Sequence, residues 1–250
     1  MSADANRAVL NGMLNSARGA LAMLPGFGPR PLANHLKRLR PWRALGLVDI
    51  RAESCAGQQL RSITFLRTSI AGRATVSAVV ACPDHALGCP IFSVDGMIVG
   101  SSLLFVLEVL DPGVRDDPPH RAFMSAMAGH KEKMLSGPVV DATVQPPAWN
   151  HWYIPDASIR VKVAAGSAEE ILAIFEDCVD SYARLIGESL PFDTDTALRS
   201  GQQVEAYVSA LLDEGGPAVE TFRFLLGRHR QREFVRSVMF GLESPSFESG

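Results

Sequence analysis

Cysteine is scarce in this chain: four residues, Cys55, Cys82, Cys89 and Cys178, with no C-x-x-C spacing among them. So sparse a set argues against a disulfide-stapled scaffold and fits reduced thiols in a cytosol. The six histidines, at 35, 85, 120, 130, 151 and 229, lie far apart and show no metal-ligand spacing with one another or with the cysteines. Cys82, His85 and Cys89 can be drawn as a ligand trio, but buried or strand-edge thiols explain the same residues. Also missing are a G-x-G-x-x-G after a strand, a Walker loop, a G-x-S-x-G elbow and an H-E-x-x-H pair, so nucleotide, esterase and zincin chemistry lose their usual support. The formal net charge is only -3, which provides no global positive field for nucleic acid or an anionic membrane. No apolar run is long enough to span a bilayer, and the opening MSADANRAVLNG breaks the apolar core that a signal peptide needs. These absences predict a cytoplasmic protein with neither nucleic acid nor membrane as partner.

What is present is ordinary globular material: 250 residues, 47% apolar and 20% charged, enough to bury one core, with a single domain over 1–250 expected. Ala5, Val9, Leu10, Met13, Leu14, Ala17 and Leu21 recur at helical spacing and predict a helix over 5–23, stopped by Pro25-Gly26. A short basic helix is expected over Leu32–Leu39. From Leu47 to Leu110 the period shortens towards two, and five strands are expected near 46–53, 58–68, 73–82, 90–99 and 102–110. Turns are placed at Gly57, Ala71-Gly72, Pro83-Asp84 and Gly100-Ser101. Connections this short favour antiparallel pairing, because a parallel crossover needs about a dozen residues or more.

Asp111-Pro112-Gly113 closes the strand block, and a helix is expected over Pro118–Leu135. After the proline-rich Gln145-Pro146-Pro147, the stretch Trp149–Val163 reads as a strand or strand pair. Ser167 followed by Glu169-Glu170 is an N-cap with acidic residues in the first turn, predicting a helix to about Ile186. Further helices are expected at 194–212, 217–227 and 229–242. Strands in the middle and helices at both ends predict an α/β fold, one mainly antiparallel sheet covered by helices on both faces. Basic residues gather at Lys37, Arg38, Arg40 and Arg43 and again at Arg228, Arg230, Arg232 and Arg236, either as solvated faces or as docking surfaces for an acidic partner.

The order of these features carries a resemblance. Arg61 leads a strand, a hairpin follows, Pro90-Ile91-Phe92-Ser93-Val94-Asp95 forms a Pro-x-Phe-x-x-Asp segment, and an apolar strand ends at Asp111-Pro112. Pro147-Ala148-Trp149, Ile159-Arg160-Val161-Lys162 and the terminal run Phe222–Phe240 continue the pattern, so that it extends from about Leu47 to Leu242. In this the chain resembles the ferredoxin-dependent bilin reductases. The resemblance implies a three-layer α/β/α sandwich with a linear tetrapyrrole between the sheet and the C-terminal helices. It implies no bound cofactor, since reduced ferredoxin supplies electrons singly and the bilin itself accepts them, and a monomer is expected.

The resemblance places Asp95 at the family's central aspartate, a proton donor. A carboxyl among Phe92, Val94, Met97 and Ile98 is expected to be desolvated and its pKa raised. Asp95-Gly96 between apolar runs also has the composition of a turn. Arg61 and Lys162 fall where family arginines bind propionates, and Arg160, two positions from Lys162, shares its face. Phe92 and Ala78 complete the expected bilin surroundings. The phycocyanobilin-forming members carry a histidine and a glutamate where this chain has Ala78 and Leu66, so only one two-electron step is expected here. Other members place a second aspartate before the penultimate helix; Asp213 or Glu214 could stand in for it, or end a helix as exposed acids, and His85 is a further candidate donor. The alternative reading is a protein that binds a tetrapyrrole as carrier or sensor without reducing it; an unrelated α/β protein with an interaction role is the third.

Overall fold

A computed structural model describes residues 3–41, 47–70, 74–99, 102–137, 139–141, 147–163, 168–215 and 217–242. The expected turns at Ala71-Gly72 and Gly100-Ser101, the Ser167 cap, Gln145-Pro146, Gly216 and Arg43 lie outside the described residues.

The centre is a nine-stranded sheet whose described pairings are all antiparallel. In chain order its strands are β1 (Gly28–Pro29), β2 (Arg38–Leu39), β3 (Val48–Ala56), β4 (Leu60–Ile70), β5 (Ala74–Pro83), β6 (Ile91–Val99), β7 (Ser102–Leu110), β8 (Val139–Asp141) and β9 (Ile159–Val163). They lie in the order β1-β3-β4-β5-β6-β7-β9-β8, with β2 also paired to β3. The five central strands follow one another by short connections, as the period-two stretch predicts.

Helices cover both faces. On one lie α1 (Ala3–Leu21), α3 (Pro118–Leu135) and α4 (Ala168–Glu188). Their apolar stripes, Leu10, Met13 and Ala17 of α1 and Ile171, Phe175, Cys178 and Tyr182 of α4, recur every three or four residues and bury against Phe65, Val79, Phe92, Val94 and Phe105 of the sheet. On the other lie α5 (Thr194–Glu214), α6 (Pro217–Leu226), α7 (Arg228–Glu233) and a π-helical segment, Phe234–Met239. Val204, Tyr207, Val208, Phe234 and Val238 of this layer pack on Ile50, Leu66, Ala78, Val80 and Ile91. Asp117, ahead of Pro118, caps α3 by accepting from His120 N at 3.1 Å, and Asp193 caps α5 by accepting from Thr196 N at 3.0 Å.

The π-helical segment is fastened to the sheet. Its wide turn frees carbonyls from the α-helical ladder. Arg30 Nη2 donates to the Ser237 carbonyl at 2.6 Å, Thr64 Oγ1 donates to that of Val238, and Cys82 Sγ donates to that of Met239 at 3.7 Å. Side chains of β4, β5 and the residue after β1 thus bond to these carbonyls.

Three expectations need correction. The basic segment Leu32–Leu39 is helical only over α2 (Asn34–Lys37), after which Arg38–Leu39 pairs with β3. Of Trp149–Val163, only Ile159–Val163 is a strand; the preceding residues form turns, one bridge from Tyr153 to Leu110, and a 3-10 turn opened by Pro155, which has no N–H to donate to a ladder. The last helix is α-helical only to Glu233 before it widens. All four cysteines are buried and free. Among the described residues no helix is long and apolar enough to cross a membrane.

Candidate functional site

Asp95 lies in the middle of β6, so the turn alternative is excluded. Its register partners are Ala78 on β5 and Val106 on β7, and the same row continues to Leu66 and Ala52 on one side and Arg160 on the other. Residues paired directly across strands point to the same side of the sheet. Ala52, Leu66 and Ala78 pack in the core formed with α5, α6 and the π-helical segment, so Asp95 faces that layer.

The expected neighbours of Asp95 are therefore only partly right. Phe92, Val94 and Ile98 belong to the opposite core, where Phe92 stacks on Tyr182 with centroids 4.8 Å apart. Period-two alternation sends even-numbered residues of β6 towards α1 and α4, and odd-numbered ones towards α5. Phe92 is thus a packing residue of the far layer, and Met97 alone of the four shares the Asp95 face. Gly96 shows the same division, because a Cβ there would meet Leu10 Cδ2 of α1 at 2.5 Å.

The Asp95 carboxyl is pushed up to about 7 from an ordinary 3.8, first by desolvation and then by the negative charge of Glu108, with Arg160 opposing. Glu108 is the diagonal neighbour of Asp95: its register partner is Ser93, two residues away on the same face. It forms an ion pair with Arg160 at 3.0 Å, both side chains about a quarter exposed. Burial raises the Glu108 carboxyl as well, against the pull of Arg160. Glu108 was not among the residues singled out from the sequence, although a lone acid in the apolar run Ser102–Leu110 is a readable signal.

Above these groups stand aromatic rings. Tyr207 of α5 is buried, its hydroxyl held protonated by desolvation and by Glu108, Cys82 and Asp95. Its ring meets Trp152, Phe240 and Trp149 at centroid distances of 5.6, 5.8 and 6.3 Å, and Trp152 Nε1 donates to Gln203 Oε1 at 3.1 Å. Ile91, Leu110, Trp152, Val204 and Tyr207 line a crevice of about 170 Å³ that leaves no room for a water molecule.

The remaining candidates divide into two other places. His85 opens a 3-10 turn, with its ring against Gly201 of α5 at 3.1 Å from where a Cβ would stand. Desolvation and the Arg61 charge lower its pKa to about 4, against the opposing pull of Asp84 and Glu205. Arg61 is partly buried, its pKa lowered by desolvation. These two form one group with Glu205, which pairs with Arg236 at 2.9 Å, whereas the charges acting on Asp95 are Glu108 and Arg160. Lys162, exposed, shares the Asp95 face one row further on, in register with Leu104 and Met97. Asp213 and Glu214 end α5 as exposed acids, and Asp213 is ion-paired with Arg232. Among the described residues, no group of three or more His, Cys, Asp or Glu is placed to hold a metal.

The arrangement joins a carboxyl that is protonated near neutrality, an arginine-held second carboxyl, and an apolar, aromatic wall. Such a carboxyl can exchange a proton near neutral pH. No protein-family model matches the chain, and no curated protein sequence does. Solved structures do. The tomato phytochromobilin synthase, solved in complex with biliverdin, superposes with a TM-score of 0.73 at 13% identity, covering 94% of this chain and 82% of that one. The likeness read from scattered motifs is thus matched in three dimensions, and the fold of this chain is that of a ferredoxin-dependent bilin reductase.

Proposed function

We propose that this protein reduces a linear tetrapyrrole, biliverdin or a related bilin, in one two-electron step, with reduced ferredoxin as the external electron donor and Asp95 as the proton donor. The observation that carries the reading is Asp95 itself: a carboxyl in mid-strand, facing an aromatic layer, with its pKa pushed up to about 7. A carboxyl desolvated in a central strand is costly to keep, and perturbed acids gather at functional sites. The shared fold with an enzyme solved holding biliverdin supports the substrate class.

A bilin laid on this face takes electrons one at a time, so the protein has to shield a radical from water and supply protons at the right moment. The tight aromatic wall of Trp152 and Tyr207 serves the first need and Asp95 the second. Arg61 and Lys162 are the cations proposed for the two propionates, because Arg160 is already neutralised by Glu108. Ala78 and Leu66, in the same row as Asp95, carry no proton, which supports one reduction step instead of two. The row also favours a second reading, a carrier that holds the tetrapyrrole without turnover.

The test is to mix purified protein with biliverdin, record its spectrum, and add reduced ferredoxin anaerobically, with Asp95→Asn in parallel. Wild type is expected to bind and convert the pigment, while the variant binds it and turns over about 10²–10⁴-fold more slowly. Binding without turnover in wild type would establish the carrier, and no binding would sink both readings.

A further inference from the structure

Glu108 and Arg160 have no part in the reading above beyond their ion pair, yet their placement gives them one. Asp95, Glu108 and Arg160 come from three adjacent strands, β6, β7 and β9. Arg160 is in the Asp95 row through Val106, and it reaches diagonally to Glu108 at 3.0 Å. Diagonal cross-strand neighbours lie about 7–8 Å apart at Cα, close enough for side chains of this length to interact. Arg160 is therefore bonded to Glu108 while its charge also acts on Asp95. The other titratable groups facing them are Tyr207 from α5 and Tyr153 from the turn before β9, both kept protonated by burial, and Lys162 one row away.

We propose that Asp95 and Glu108, diagonal neighbours on adjacent strands with Arg160 held on Glu108, form a two-carboxyl relay in which Glu108 reloads Asp95 during a two-electron reduction; this rests on the reductase reading. The charge balance of the triad dictates the sequence. At rest Arg160 balances one carboxylate, Glu108, while Asp95 holds its proton. Asp95 gives that proton to the reduced bilin, a C–H bond forms, and Asp95 becomes the carboxylate. Substrate lying over Asp95 closes it to water, whereas Glu108, a quarter exposed, takes a proton from solvent as Arg160 turns to the new charge. Glu108 then passes the proton to Asp95 and the starting state returns. Two turns of this cycle supply the two protons that accompany two electrons from ferredoxin, through one delivery point. A second acid is thus present on the strand following Asp95, not on the strands where Ala78 and Leu66 stand.

The test has two arms. In bilin-free protein, the Asp95 carboxyl is titrated by ¹³C NMR, assigned by its loss in Asp95→Asn. Glu108→Gln removes a negative charge and frees Arg160, so the Asp95 midpoint is expected to fall by about one pH unit or more, whereas Arg160→Gln is expected to raise it. Opposite shifts cannot come from general loosening of the fold. In the second arm, single turnover of biliverdin with reduced ferredoxin is followed by electron paramagnetic resonance. At a pH below both Asp95 midpoints, where wild type and variant start equally protonated, Glu108→Gln is expected to make the first protonation at the wild-type rate and to accumulate the radical because the second is slowed at least about tenfold, with Glu108→Asp restoring it. An unmoved Asp95 midpoint overturns the relay, as does a second protonation at the wild-type rate in Glu108→Gln. Biliverdin left unreduced by wild type overturns the reductase reading instead, while the titration still decides whether the carboxyls are coupled.

Discussion

Asp95 keeps its proton first because burial disfavours its carboxylate and then because the charge of Glu108 repels a second one. The consequence for stability can be signed. A carboxyl whose folded pKa is raised makes its favourable contribution below the unfolded value, near 3.8, and loses it as pH rises through about 7. Replacing Asp95 with Asn is expected to remove that loss, so thermal melts should show the variant gaining on wild type at pH 8 and not at pH 4. Turnover should follow the same group in wild type, falling as pH rises through about 7. Only part of this was readable beforehand. An aspartate in an apolar run has two meanings, turn or acid, and the sequence alone does not separate them until the strand is known to continue to Val99. Phe92, three residues from Asp95 in sequence, stands on the opposite side of the sheet, because a strand alternates faces. Counting by two from Asp95 places Phe92 on the α4 side, whereas Glu108 emerges only from the register of β6 with β7, where it stands opposite Ser93.

At the scale of elements, close approach of α1 to β6 depends on Gly96. A methyl group there would meet Leu10 Cδ2 at 2.5 Å and Met13 Sδ at 3.0 Å. Both are ends of flexible side chains, so Gly96→Ala is expected to cost about 1 kcal/mol, the low end of overpacking. Calorimetry should record that as a fall in Tm of about 2–4 °C. The five central strands were legible because hairpin connections and a period of two leave few alternatives. β1 and β8, at two and three residues, are too short to show any period. Residues 149–158 were misread because their aromatic content imitates a strand; Trp149 and Trp152 are in fact turn residues whose rings reach Tyr207. The π-helical widening has no composition of its own, and it becomes intelligible only once Arg30, Thr64 and Cys82 are seen to meet its carbonyls.

Over the whole molecule, the fold brings together two basic segments nearly two hundred residues apart in sequence. His35 of α2 pairs with Glu233 of α7 at 2.9 Å, and Pro41 shares a groove with Leu225, Arg228 and Arg230. Lys37, Arg38, Arg40, Arg228 and Arg230 are all exposed around that join. On the proposed reductase reading an acidic electron donor docks there, so Arg228→Glu with Arg230→Glu should raise the KM for ferredoxin severalfold and flatten its salt dependence, leaving biliverdin binding unchanged in spectral titration. The partition by the sheet has a broader result. Along β6 the residues Phe92, Val94, Gly96 and Ile98 serve one layer, and Ser93, Asp95 and Met97 serve the other. One strand therefore carries two interleaved sets of residues: its even positions pack beneath α1 and α4, and its odd ones face the layer that holds the proposed site. Because an interposed residue separates any two of the same kind, Ser93, Asp95 and Met97 can be exchanged without touching the core packed under α1 and α4.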